Sequence, residues 1–278
     1  VDFQERVFEN ISEDMRELST SFKFSEISLI PISALKGDNV VEKSPNTRWY
    51  QGPTLFEYLS AVQVYSSESD GNFRFQVQLV NRPNQDFRGL AGVVYSGGAR
   101  VGDAVTVMPS RVPATIEKLL LGEHSLIKAQ SGQAITVVLK ENIDVARGDL
   151  IVLSSNLCEV SDHFEVNLVW LDRDSGFVGR SYVMKVGTVT LTANITSLKY
   201  KVNVNTYERV AGKRLEVNDV ARVTIKVNRP IPFENYSTNH SLGGFILIDR
   251  ATCHTVAAGM IEFGLRRSVN INPQEMTI

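Results

Sequence analysis

The residues best placed to meet a ligand are Leu29-Ile30-Pro31-Ile32-Ser33-Ala34-Leu35-Lys36-Gly37-Asp38-Asn39-Val40. The apolar run from Ile27 to Ile32 reads as a β-strand that stops at Ser33 and gives way to a small, polar loop containing Gly37. In open α/β sheets ligands sit in the crevice outside the carboxyl ends of the strands, so a loop in this position belongs to a binding site. Its chemistry would be recognition by backbone N–H groups rather than catalysis.

Other chemistries find no support. There is no Gly-x-x-x-x-Gly-Lys-Ser/Thr, and Gly212-Lys213 runs into Arg214 within a β-rich region instead of opening a helix. Asp86-Phe87-Arg88-Gly89 has the letters of a magnesium-switch Asp-x-x-Gly but leads into a strand. His124, His163, His240 and His254 show neither helical pairing nor metal-ligand spacing. Cys158 and Cys253 lie far apart without a Cys-x-x-Cys, which fits buried thiols in a reducing cytosol. No Gly-x-Ser-x-Gly elbow occurs. The expectation is no catalytic residue and no metal ligand in this chain.

The elements around the loop come next. Phe3, Val7, Ile11, Met15 and Leu18 recur at helical steps with acidic residues between them. After the Ile27–Ile32 strand and a long loop to Gly52, Thr54-Leu55-Phe56-Glu57 has capping-box spacing ahead of a Leu55, Tyr58, Leu59, Val62 stripe. Such stripes need a sheet to cover, and one strand cannot supply it. Residues 1–65 are therefore expected to be the C-terminal remnant of an α/β domain that begins upstream. A polar, turn-rich stretch from Tyr65 to Asn72 reads as a linker.

Beyond it the hydrophobic period becomes two. Phe73 to Leu79 alternates as a half-buried strand, and five more short runs follow to Leu153 with glycine turns between them. Runs at Phe164–Leu171, Tyr182–Val186, Val189–Ile195, Ser197–Val204, Asp219–Val227, Gly244–Ile248 and Thr255–Phe263 make a second set. The fold class is mainly β with an α/β N-terminal piece: two small barrels, at 71–157 and 161–265, closed so that no sheet edge is left bare. Residues 266–278 lose periodicity and read as a tether.

The bulk properties agree. The chain has 278 residues, 43% hydrophobic, with a net charge of -2. That charge argues against a surface built on nucleic-acid backbone. No apolar run reaches membrane-spanning length, and the first residues lack the basic start and apolar core of a signal peptide.

Three groups of residues resemble one family. Ser33-Ala34-Leu35 is similar to the fifth guanine-nucleotide motif of GTPases. Phe87 to Asp103, with Ser131-Gly132-Gln133-Ala134 and Ala146-Arg147-Gly148-Asp149, resembles the second domain of translation-type GTPases. Val227 to Ile231, Asn239 to Arg250, Thr255 to Ile261, Ser33 to Val40 and Trp49-Tyr50-x-Gly52 closely resemble the large, GTP-hydrolysing subunits of bacterial sulfate adenylyltransferases (ATP sulfurylases), within the elongation-factor-Tu-like GTPases.

The resemblance implies a cytoplasmic protein of sulfate assimilation and cysteine biosynthesis. In that family GTP hydrolysis drives the conversion of ATP and sulfate to adenylyl sulfate and pyrophosphate by a small catalytic subunit. It implies GTP and Mg2+ as cofactors of the parent protein, with Ser33, Ala34 and Leu35 on the guanine side and neither cofactor expected on this chain alone. The phosphate loop, both switches and Asn-Lys-x-Asp are missing from these residues, so the chain alone should not hydrolyse GTP. The expected partner is the small catalytic subunit, for which Arg88, Arg100 and Arg111 are candidate contacts. Leu265 to Ile271 resembles the junction to an adenylylsulfate kinase domain in bifunctional relatives. Two other readings stand beside this one: a tRNA-binding translation factor of the same superfamily, and a binding module with no enzyme connection.

Overall fold

The structure, a computed structural model, describes residues 2–21, 26–62, 71–84 and 87–265. Most of the expected linker, Asp86 of the Asp-x-x-Gly letters and the expected tether lie outside the described residues. The chain divides into two compact units, Val1–Ser66 and Ser67–Ile278.

In the first unit, α1 spans Glu5–Ser21 and α2 spans Leu55–Ala61. The α2 start is fixed as its spacing requires: Glu57 N donates to Thr54 Oγ1 at 3.2 Å, and Thr54 N donates to Glu57 Oε2 at 2.8 Å. Two expectations need correction. The inner side of α1 passes through Phe8, Ser12 and Met15, whereas Ile11 is 53% exposed. The Ile27–Ile32 run forms no ladder among the described residues; the only pairings nearby are the bridges Ser33–Asp38 and Asp38–Glu42. A strand exists only with a neighbour to bond, and this unit offers no other strand among its described residues.

The buried residues described in this unit are Ser12, Asp38, Asn39, Ser44, Thr47 and Thr54, all of them polar. Its apolar side chains are half-buried, as Phe8, Met15 and Trp49 are, or exposed, with Phe56 and Leu59 each 61% exposed. Among the described residues its buried positions are thus hydrogen-bonding groups, and its apolar packing is the half-buried cluster of the Phe8, Trp49 and Tyr50 rings, whose centres lie 5.3 to 6.3 Å apart.

The second unit holds two barrels. Strands β1 (Arg74–Asn81), β2 (Gly89–Ser96), β3 (Ala104–Met108), β4 (Val112–Leu121), β5 (Ala134–Leu139) and β6 (Leu150–Leu153) close in the order β3-β6-β1-β2-β5-β4, with β4 returning to β3. All neighbours are antiparallel. The inside is filled by Phe75, Val77, Val94, Val107, Leu119, Val137 and Ile151 among others. Gly97, Gly102, Gly132 and Gly148 have positive φ, the conformation glycine adopts without strain. Gly92 has a different reason to be glycine. A Cβ there would come within 2.0 Å of the Gln76 carbonyl oxygen on the paired strand.

The second barrel comprises β7 (Glu159–Trp170), β8 (Ser181–Val186), β9 (Val189–Val202), β10 (Val220–Phe233), β11 (Gly244–Ile248) and β12 (Thr255–Gly264). They close in the order β8-β11-β12-β7-β10-β9, with β9 returning to β8. The two runs expected at 189–195 and 197–204 are one strand, whose register shifts between Ile195 and Ser197. An extra residue absorbed as a bulge breaks the alternation without ending the strand. The break read between Asn239 and Gly244 contains a single helical turn, α3 (His240–Gly243), capped by Asn239. β10 runs through Pro230 and Pro232 while still pairing with β7.

Candidate functional site

The turn after residue 32 is built by its own backbone. Ser33 N donates to Asp38 O at 3.1 Å, Gly37 N to Ser33 O at 2.8 Å, and Lys36 N to Ser33 Oγ at 3.3 Å. Gly37, at φ +79°, and Asn39, at φ +55°, supply the left-handed residues that reverse the chain. Among the described residues the N–H groups of Ala34 and Leu35 donate to nothing. Leu35 is 95% exposed. The site therefore presents two adjacent backbone donors on an open turn, with no side chain fitted for chemistry.

The frame behind those donors is polar and buried. Asn39 Nδ2 donates to Pro31 O and Thr47 Oγ1, each at 2.8 Å, and Asn39 Oδ1 accepts from Ser44 N at 2.8 Å. Asn39 O and Val40 O accept from Leu55 N and Phe56 N, both at 2.9 Å, so the turn is tied to the first residues of α2. Asp38 Oδ1 accepts from Ser44 Oγ and Asn46 Nδ2. The Ser44 hydrogen bond, against the upward push of burial, holds the Asp38 carboxyl below the usual aspartate range. Lys36 Nζ lies 5.4 Å from the centre of the Phe3 ring, and Trp49 Nε1 donates to Phe3 O at 3.1 Å. These contacts join the turn and the Trp49-Tyr50 segment to the start of the chain.

A second set of contacts was not readable in the sequence. Arg74 and Gln76 alternate with apolar neighbours and look like solvent positions, yet both are buried between the barrels. Arg74 Nε donates to Glu234 Oε1 at 2.6 Å, and its other nitrogens reach Phe73 O, Asn156 O and Asn156 Oδ1 at 2.9 to 3.0 Å. Gln76 Oε1 accepts from Tyr95 Oη at 2.9 Å and Thr188 N at 3.0 Å. Met108, Leu150, Val152, Cys158 and Leu242 close an apolar patch drawn from both barrels. Asn239, whose Oδ1 caps α3, sends its Nδ2 3.3 Å to Ser96 Oγ.

Of the arginines singled out as partner contacts, Arg100 and Arg111 are exposed. Arg88 is half-buried, its guanidinium donating to the carbonyls of Ile143 and Val145. Among the described residues no group of histidine, cysteine, aspartate or glutamate could hold a metal ion. No helix there is long and apolar enough to cross a membrane.

Residues 163–262 match a family described as GTP-eEF1A C-terminal domain-like. Sulfate adenylyltransferase subunit 1 of Shewanella woodyi is 41% identical over 261 residues, covering 94% of this chain and 55% of that protein. The bifunctional enzyme NodQ of Rhizobium sp. strain N33 is 42% identical over 278 residues, covering 100% of this chain and 43% of that protein. The chain thus spans about half the length of the curated relatives it matches. Sup35 in complex with GDP superimposes with a TM-score of 0.66 at 19% identity, over 96% of this chain and 67% of that one. The fold is mainly β with two barrels, and it is shared with that structure.

Proposed function

From a chain similar over its whole length to sulfate adenylyltransferase subunit 1 and NodQ, we propose that it is the downstream part of a GTP-hydrolysing subunit of that family. The subunit would couple GTP hydrolysis to the formation of adenylyl sulfate and pyrophosphate from ATP and sulfate in the cytoplasm. The observation that carries the reading locally is the pair of unpartnered N–H groups at Ala34 and Leu35. In this reading they meet the edge of the guanine ring, with Ser33 holding the turn through its Oγ and carbonyl. A guanine edge fits this turn. The phosphates and Mg2+ do not fit this chain, which has no phosphate-loop lysine and no described cluster of metal-ligating side chains. No step of hydrolysis is assigned to these residues.

In the same reading residues 1–65 complete a nucleotide domain. Their outward Phe56 and Leu59 are what a domain shows when part of its covering is elsewhere. The barrels at 71–157 and 161–265 transmit the nucleotide state to a small catalytic subunit, the proposed partner. Residues 266–278 would lead to an adenylylsulfate kinase domain if the parent is bifunctional, as the name of the NodQ relatives says of them.

The test is co-elution of the chain with a small sulfate adenylyltransferase subunit, alongside filter binding to tRNA at low salt. Co-elution without tRNA binding is expected. Tight, salt-sensitive tRNA binding would favour a translation factor instead.

A further inference from the structure

We propose that one end of the first barrel is a binding site for a carboxylate carried on an apolar body. A cavity of about 300 Å3 lies where β1 ends, β2 begins and β5 passes into the 140–145 loop. Leu90, Val138 and Val145, all buried, line it. Its size is at the lower end of ligand sites, enough for a side-chain-sized group.

The polar part of the cavity is biased toward an anion. Arg88 spends its Nη atoms on the Ile143 and Val145 carbonyls and on Asp144 Oδ1 at 3.3 Å. Its Nε is buried with no partner, a donor left waiting for an acceptor. Arg82 and Lys140, both exposed, also line the cavity, and neither makes an ion pair within bridging distance among the described residues. Two acids also line the cavity, against the three cations. Glu141 accepts from Thr115 N at 2.7 Å and Thr115 Oγ1 at 3.0 Å, and Glu117 stands 3.8 Å from Lys118 Nζ.

An inorganic oxyanion would satisfy the cations but leave the apolar lining wet, and a neutral apolar group would leave Arg88 Nε unpaired. A group with both parts, from a docked protein segment or from a free aryl-alkyl acid, satisfies both.

The test is 1H–15N NMR titration of the full chain with 3-phenylpropionate, 3-phenylpropionamide, inorganic phosphate and the capped peptide acetyl-Leu-Glu-Leu-amide. The acid is expected to shift the amides of Leu90 and of residues 138–145 saturably, with the neutral amide about fivefold weaker or more. The double variant Arg82→Glu/Lys140→Glu changes exposed rim positions only and should weaken the acid about tenfold. Arg88→Lys, which keeps the charge and removes Nε, should weaken it too; should that variant unfold, the rim variant decides. A peptide binding tighter than the free acid identifies a protein segment as the source, and the reverse identifies a small acid. The proposal is overturned by absence of saturable shifts at the cavity, by equal binding of acid and amide, by phosphate binding as tightly as the acid, or by an unaffected rim variant.

Discussion

Arg74 and Glu234, 160 residues apart in sequence, meet at 2.6 Å between the two barrels, and the arginine is only 2% exposed. Removing one member of a buried pair leaves the other charge uncompensated, which typically costs about 3 to 5 kcal/mol. Arg74→Met and Glu234→Met should each lower the urea midpoint strongly. The double variant should recover a large part of the loss, because matched apolar replacements avoid the stranded charge. A double variant no better than the sum of the singles would show that the pair is not coupled.

The two thiols should behave oppositely. Cys158 is buried beside the junction and Cys253 is exposed. Burial pushes the Cys158 thiol up to about 11. With a thiol-disulfide reagent at pH 8, one thiol per chain should react at once and the second only on unfolding. The linkage sign follows from the same shift. Between an unfolded thiol pKa of about 8.5 and the folded value, the unfolded chain binds fewer protons, so stability falls as pH rises through that window. A Cys158→Ala variant, measured by denaturation from pH 8 to 10.5, should lose that part of the slope.

The acid side runs the other way. Glu165 is pushed up by burial, but the hydrogen bonds from Lys199 and Arg222 outweigh it and hold the carboxyl below the usual range. Asp249 is held low by the Thr252 and Ala251 N–H groups. A depressed folded pKa contributes stability that is present above the unfolded value, about 4, and is lost as pH falls through the folded one. Second-barrel stability should therefore drop below about pH 4, and Glu165→Gln should be less sensitive there while less stable at pH 7. Urea midpoints at pH 3 and pH 7 check both statements.

The turn proposed to meet guanine makes a prediction about backbone against side chain. Leu35→Ala should leave both folding and guanine-nucleotide affinity within about 0.5 kcal/mol, since the side chain is in solvent. Asn39→Ala strips three hydrogen bonds from the frame and should cost about 2 to 3 kcal/mol of local stability. Titration of GDP into the parent protein should show the first variant unchanged and the second weakened. A large effect of Leu35→Ala would mean that its side chain, not its N–H, makes the contact.

Thr54→Ala removes the hydroxyl that caps α2 and should cost about 1 kcal/mol. Thr54→Ser should restore it. Amide exchange at Glu57 and Tyr58 is the readout, because those positions open first when the cap is lost.

The barrels were legible because alternation and glycine turns are local signals: Phe73 to Leu79 and Ala104 to Met108 show their period in the chain itself. What sequence missed was set by distant partners. Arg74 and Gln76 read as outward residues until the second barrel covers them, and nothing beside them says where Glu234 and Thr188 are. The Ile27–Ile32 run failed in the opposite sense: its composition is that of a strand, but no strand among the unit's described residues bonds it. Ser33, Ala34 and Leu35 are singled out only by their resemblance to a known motif. The structure adds the Asn39 frame, whose tie through Thr47 and Ser44 has no spacing rule that would reveal it.

The prolines of β10 carry a consequence for solubility. Pro230 and Pro232 stand two residues apart, so their nitrogens point to the same side of the strand, and neither carries a hydrogen. β7 bonds the other side there, opposite Ile231, while β9 has left the strand after Val227. Beyond Val227, Asn228 to Pro230 are exposed and Ile231 to Phe233 are buried, so only the first three could meet an intruding strand from another molecule, and there Pro230 offers it no donor.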